Sequence, residues 1–274
     1  MVKISMKKKI LFIYEHKYPQ FWMDGLWAAL NELEKDFEVY KWNIFKENHP
    51  DITLFDFILG WGGFNSPVDN FIQNLKTTKV KKGLCIAGNS FPAKGMMTYD
   101  VLFYETDWVR DYLELKYHGN IYKAFGVNTN IYFKPDIITP IVWDYIGVGA
   151  FASWKRWEKM LDKKGTRLVV GEYQNNNQEE SDGIIKSLVK GGVMVSNMVS
   201  PYDLANLYTW SRTLYLPSTI LGGGERAVLE ARSCGLNIEV EDDNPKLKEL
   251  IKLNPIPSHI DYAKKLKEGI LSVF

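Results

Sequence analysis

Short runs of β-branched, aromatic and aliphatic residues alternate with longer amphipathic segments along the whole chain. KILFIY at 9–14 predicts a first strand, and Phe21–Lys35 carries the spacing of a helix with one apolar face. FEVYKW, FDFILGW, GLCIAG and DVLFYE predict further strands, with amphipathic segments between several of them. The second half repeats the pattern. DYIGVGAF, RLVVGEY, GVMVS, RTLYLPS and LNIEV predict strands. Trp154–Lys163, Asp182–Lys190, Pro201–Trp210, a segment opening at Glu225 and Pro245–Leu253 predict the helices between and after them. Such alternation argues for an α/β protein with parallel sheets covered on both faces.

Each half holds enough elements for its own doubly wound sheet. The periodicity breaks at Gly126–Val142, where GVNTNIYFKPDIITPIV interposes Asn, Thr and Pro. The expected division is therefore a Rossmann-like domain over 1–135 and a second over 136–255. Residues 256–274 form one more amphipathic helix, expected to pack back towards the first domain. Two such domains facing a cleft would bind ligands at the carboxyl ends of their strands.

The length of 274 residues and an apolar share of 46% suit two small domains with sizeable cores. The formal charge of +1 is not the signature of an obligate nucleic-acid binder. Cys85 and Cys234 lie in apolar segments without Cys or His at metal spacing and are expected to be free thiols. The basic start is followed by only five apolar residues, so a strand fits better than a signal peptide. No run reaches the length of a membrane span, and a cytoplasmic location is expected.

The segment with most chemistry is LPSTILGGGERAVLEARSCG at Leu216–Gly235. Its glycines allow close backbone approach to a ligand, and the helix opening at Glu225 points free N–H groups there, a combination that suits phosphate or pyrophosphate. Glu230 shares a helical stripe with Ala227, Ala231 and Cys234. A charge on that stripe needs a partner: the vicinal hydroxyls of a ribose, or a structural Arg or Lys.

Several motifs in order resemble the retaining GT-B glycosyltransferases, most closely glycosyltransferase family four in a compact form like those of phages and viruses. FGVNTNIYFKP resembles the family's interdomain motif, and IGVGAFASWKRWEKML its lysine-bearing loop after the first strand of the second domain. LVVGEY, VSNMVSPYDLANLY and the glycine-glutamate segment follow in the family's sequence. The resemblance covers roughly residues 122–252.

It implies transfer of a sugar, with retention of configuration, from a nucleotide-diphosphate donor (a UDP-sugar favoured) to a hydroxyl acceptor. Lys155 falls on the lysine that contacts the donor diphosphate, with Arg156 beside it. Glu230 falls on the glutamate that binds the ribose. Gly223, Gly224, Glu225 and Arg226 occupy the loop and helix start that meet sugar and phosphates. Tyr173 and Met198 lie near the loops flanking the base. The family's sugar-contacting glutamate falls on Gly222, and Glu225 is the replacement; the family's arginine falls on Ala150.

In the first half, Gly25 is the candidate for close approach to the donor, and Asp24 either accepts from an acceptor hydroxyl or caps a helix. Lys155, Glu225 and Asp24 are thus the expected catalytic set. The loops at Gly60–Pro67 and Cys85–Gly95, together with His16 and Glu105, are further cleft candidates. The lysines between Lys76 and Lys82 read as a solvated edge that also suits an anionic acceptor.

No Asp-x-Asp pair ends a strand, and Asp242–Asp243 reads as surface charge, so neither metal nor cofactor is expected. The acceptor readings are a glycan or a hydroxymethylated DNA base. A nucleotide-sugar epimerase or hydrolase, or a non-catalytic nucleotide-sugar-binding module, are the competing functions.

Overall fold

The computed structural model describes residues 7–46, 48–76, 79–87, 98–137, 139–174 and 177–274, without the side chain of Trp22. It divides into two compact units, Met1–Gly126 with Pro257–Phe274, and Val127–Ile256.

In the first unit, β1 (Lys9–Tyr14), β2 (Glu38–Asn43), β3 (Phe57–Gly62), β4 (Lys81–Ile86), β5 (Val101–Tyr104) and β6 (Asn120–Lys123) form one sheet. Its order is β2-β1-β3-β4-β5-β6, with every pairing parallel. Side chains alternate across a strand, and both faces of β1 are apolar because both are covered. Ile10 and Phe12 face one core with Leu26, Leu30, Tyr262 and Leu266. Leu11 and Ile13 face the other with Val68, Ile72 and Leu113. The first core is closed by α2 (Asp24–Leu33) packed on α9 (His259–Leu271), and the second by α3 (Pro67–Asn74) and α4 (Asp107–Glu114). A capping box starts α9: Asp261 N donates to Ser258 Oγ at 3.2 Å, and Ser258 N to Asp261 Oδ2 at 2.9 Å.

The second unit comprises β7 (Trp143–Val148), β8 (Arg167–Gly171), α5 (Gln178–Lys190), β9 (Met194–Asn197), α6 (Pro201–Thr209), β10 (Ser211–Leu216), α7 (Glu225–Ser233), β11 (Asn237–Val240) and α8 (Pro245–Lys252). Its sheet runs β11-β10-β7-β8-β9, again all parallel. Chain order therefore reverses between β7 and β10, the switch point where doubly wound sheets open a crevice. In the first unit the reversal lies between β1 and β3.

Four local expectations need correction. Phe21–Lys35 is not one helix: α1 (Pro19–Trp22) ends at Met23, and α2 begins after it. Trp154–Lys163 is not an α-helix but two 3-10 turns, Ser153–Lys155 and Trp157–Asp162, separated by Arg156 at φ 52°. Lys82 leaves the expected solvated edge, being buried with Nζ 2.9 Å from Leu75 O. The short edge strand β6 was not anticipated. The expected loop at Cys85–Gly95 lies outside the described residues from 88 onward. Among the described residues no helix is long and apolar enough to cross a membrane. Both cysteines are free and buried.

Candidate functional site

Two loops leave the second sheet at its switch point. The first follows β7 and carries Lys155 in its 3-10 turn; the second follows β10 and carries Gly222–Gly224. They are tied together where Thr219 N donates to Trp154 O at 2.9 Å. Gly223 and Gly224 take φ of 62° and 117°, which L-residues with side chains rarely adopt. Among the described α-helices of this unit, α5, α6 and α8 start on a side-chain acceptor from Asn177, Ser200 and Asn244. Helix α7 starts on Gly224 with no side-chain cap. The first N–H groups of a helix have no carbonyl of their own helix to meet, so α7 presents them with the positive end of its dipole.

Lys155 and Glu225 converge over this loop. A Cβ placed on Gly223 would lie 3.6 Å from Glu225 Oε2 and 3.8 Å from Lys155 Nζ. Both side chains belong to buried residues. Burial lowers the Lys155 ammonium to about 8; Glu225 and Glu172 pull it up, while Lys246 and Arg226 push it further down. Glu172, one residue beyond β8, is raised to about 7 by burial, against the pull of Arg226 and Lys155. Glu225 Oε1 stands 2.5 Å from Nζ of Lys246, and both side chains are nearly inaccessible. The outcome is a cluster of acids and bases at the carboxyl end of the sheet, where buried charge sets proton affinity.

Glu230 is also buried, and its partners are internal. Arg226 Nε lies 2.8 Å from Oε1, and Tyr208 Oη donates to Oε2 at 3.2 Å. Arg226 is thus a charged partner of Glu230 within the unit. Burial and the Glu230 charge push the Tyr208 hydroxyl well above its usual range.

The Arg156 side chain, expected beside the donor diphosphate, is engaged within its own unit. Its Nε donates to Pro217 O at 2.5 Å, one Nη to Ser218 O at 3.0 Å, and both Nη atoms to the carboxylate of Asp243 at 2.7 and 2.8 Å. The left-handed backbone at Arg156 turns the guanidinium onto these groups, so this side chain holds the two loops together. Asp243 is accordingly an anchor and not idle surface charge.

Gly222 is sterically closed. A Cβ there would stand 2.7 Å from Trp154 O and 2.8 Å from Ser218 Cβ, so the position admits no side chain. Tyr173 and Met198 are both partly exposed just beyond β8 and β9. The register pairs Gly171 with Asn197, so the two leave the sheet side by side.

Asp24 and Gly25 belong to the first unit, buried in the first turn of α2. The helix's N-cap is Met23, with no side-chain cap bond, so Asp24 is not the capping residue. His16 meets Trp61 edge to face at 5.1 Å, and its carbonyl accepts from Asn43 Nδ2 at 2.9 Å. Glu105 is among the charges that act on Cys85 and Tyr262. Among the described residues no three His, Cys, Asp or Glu side chains gather to hold a metal ion.

Glu172 and Lys246 were missed from the sequence. Glu172 stood in the LVVGEY motif already singled out, and its place directly after a buried strand was the available signal. Nothing local marked Lys246.

No family profile matches the sequence, and no curated protein sequence matches it. Solved structures do. Sucrose-phosphate synthase from Thermosynechococcus elongatus is similar with a TM-score of 0.67 at 14% identity, over 97% of this chain and 90% of that one. Anabaena Alr3699/HepE, solved with UDP and glucose, is similar with a TM-score of 0.60 at 12% identity, over 96% and 90%. A putative UDP-N-acetylglucosamine 2-epimerase from Listeria monocytogenes is similar with a TM-score of 0.54 at 16% identity, over 97% and 88%. Two Rossmann-like domains of six and five parallel strands, shared with these transferases, give the chain the GT-B fold.

Proposed function

We propose that the protein is a glycosyltransferase that moves a sugar from a nucleotide-diphosphate donor to a hydroxyl acceptor, with retention of configuration. The observation that carries this reading is the convergence of Lys155 and Glu225 over left-handed Gly223–Gly224 at the uncapped start of α7. The second unit takes the donor. Lys155, Arg226 and the amides at the start of α7 stabilise the departing diphosphate, as preorganised charge does where negative charge develops. Glu225 accepts from sugar hydroxyls. Tyr173 and Met198 flank the base, and the diphosphate draws Arg226 away so that Glu230 can hold the ribose. The neighbour solved with UDP and glucose supports uridine as the base.

The first unit takes the acceptor, with Asp24 accepting from its hydroxyl, while Gly25 is assigned close approach to the donor. In the reaction the bond from the anomeric carbon to the phosphate oxygen breaks as the acceptor oxygen bonds to the same face. The departing phosphate oxygen takes the acceptor proton, so no dedicated protein base, metal or cofactor is assigned. A glycan or a hydroxymethylated DNA base is the acceptor class.

The likeness to a putative epimerase favours one second reading, acceptor-independent turnover of the nucleotide sugar. Incubation with a panel of nucleotide sugars, with and without glycan and hydroxymethylated-DNA acceptors, tests both. Acceptor-dependent nucleotide release that is lost in Lys155→Ala supports transfer. Nucleotide release or a changed sugar without any acceptor supports the second reading. Binding without turnover would reduce the protein to a nucleotide-sugar-binding module.

A further inference from the structure

Lys246 is the second residue of α8, in the segment NPKLKEL, where a lysine ordinarily points to water. Here it is fully buried, and its Nζ meets Glu225 Oε1 at 2.5 Å across 21 residues of chain. As a stabilising device this pair is poor. Each ion gives up its hydration, and an apolar pair of similar volume would pack at least as well. The ion pair lies at the base of the loop that forms the proposed donor site, not in the apolar centre of the unit.

We propose that Lys246 is a positioning residue for the sugar half of the donor: it clamps one oxygen of Glu225 and thereby aims the other at the space above Gly223. This inference rests on the glycosyltransferase reading and adds to it a residue that the reading does not use. Three observations support it. First, Gly222 is closed to any side chain by Trp154 O, so a carboxylate reaching the sugar must come from another point of the loop. Second, Glu230 has its two oxygens on Arg226 and Tyr208, whereas Glu225 Oε2 is directed to the Gly223 side. Third, a carboxylate held at one oxygen by a buried ammonium loses its rotational freedom before the ligand arrives, which is the condition for selective hydrogen bonding.

The ligand chemistry follows. An ionised carboxylate accepts hydrogen bonds only, and adjacent sugar hydroxyls donate them. The clamp thus acts through the sugar hydroxyls.

The experiment compares two affinities in each protein: that of UDP alone, and that of whichever of UDP-glucose, UDP-galactose or UDP-N-acetylglucosamine binds the wild type. Lys246→Met, Lys246→Arg and the double variant Lys246→Met/Glu225→Gln are measured by calorimetry. The double variant removes both buried charges together and so guards against simple misfolding. UDP is expected to bind all folded variants within about threefold of wild type. The nucleotide sugar is expected to lose about tenfold or more in Lys246→Met and in the double variant, and less in Lys246→Arg. Equal loss of UDP and nucleotide sugar, or no loss of either, would overturn the positioning role alone. If the wild type binds none of the three nucleotide sugars, the glycosyltransferase reading falls, and this inference with it.

Discussion

Arg226 and Glu230 sit one helical turn apart on α7, with Nε 2.8 Å from Oε1. The arginine is partly exposed and the glutamate almost fully enclosed, so the guanidinium supplies a positive charge to a buried carboxylate. Arg226→Ala leaves a buried carboxylate without its cation and is expected to lower stability by about 1–3 kcal/mol. Urea unfolding of Arg226→Ala beside Arg226→Ala/Glu230→Gln checks this. The double variant should recover most of the loss, and an unchanged midpoint in the single variant would contradict it.

Lys155 links stability to pH. Its folded value of about 8 lies below the unfolded 10.5, so between these the unfolded chain binds more protons. Stability from this group is therefore lowest below about pH 8 and rises as pH climbs towards 10.5, by about 3 kcal/mol in all. The difference between wild type and Lys155→Met in urea midpoints at pH 7.5, 9 and 10 isolates the effect. A difference that stays constant with pH would show that the ammonium is not desolvated.

Glu172 makes donor affinity depend on pH. Lys155 and Arg226 are the charges that face it, and it is protonated below about 7. A diphosphate arriving beside it favours the protonated form, since a second negative charge nearby is unfavourable. Affinity for a UDP-sugar, whose diphosphate does not titrate in this range, should fall about threefold or more between pH 6 and 8. Glu172→Gln should flatten that profile, leaving only the weaker fall from Lys155 above it. A slope as steep in the variant as in the wild type would remove Glu172 from the site.

A carboxylate placed at Gly222 should not improve donor binding. Gly222→Glu, and even Gly222→Ala, drives a Cβ against Trp154 O and Ser218 Cβ. Loss of about 1–3 kcal/mol in stability is expected from the overpacking, together with weaker donor binding. Thermal unfolding with and without UDP provides the readout, and a Gly222→Glu protein that binds the donor more tightly would refute the steric argument.

Arg156→Ala should behave as a structural lesion. It releases Pro217 O, Ser218 O and Asp243 together, so the midpoint of unfolding should drop while UDP affinity in the folded fraction stays within about threefold. A large affinity loss at unchanged stability would return Arg156 to the phosphate.

The architecture was legible because buried parallel strands announce themselves as dense apolar runs. KILFIY, FDFILGW and RTLYLPS each became a strand of a sheet covered on both faces. NIYK at β6 escaped because it is a four-residue, half-exposed edge with no such density. Trp154–Lys163 misled because Trp157 and Met160, three residues apart, satisfy a 3-10 turn as well as an α-helix. What decided the matter was Arg156, whose left-handed backbone serves acceptors some sixty residues away. Glu225 and Lys155 could be located from local motifs. The pairing of Glu225 with Lys246 could not, because it depends on how α8 folds back beneath the glycine loop.

Helix α9 completes the core of a unit whose other residues were made long before it. Tyr262, Leu266 and Ile270 pack with Phe12, Phe57 and Phe103, whereas Val127–Ile256 draws its whole fold from one uninterrupted stretch. The first unit therefore cannot complete its core until the whole of the second has been synthesised, so its sheet face waits for a helix encoded 130 residues after the rest of it.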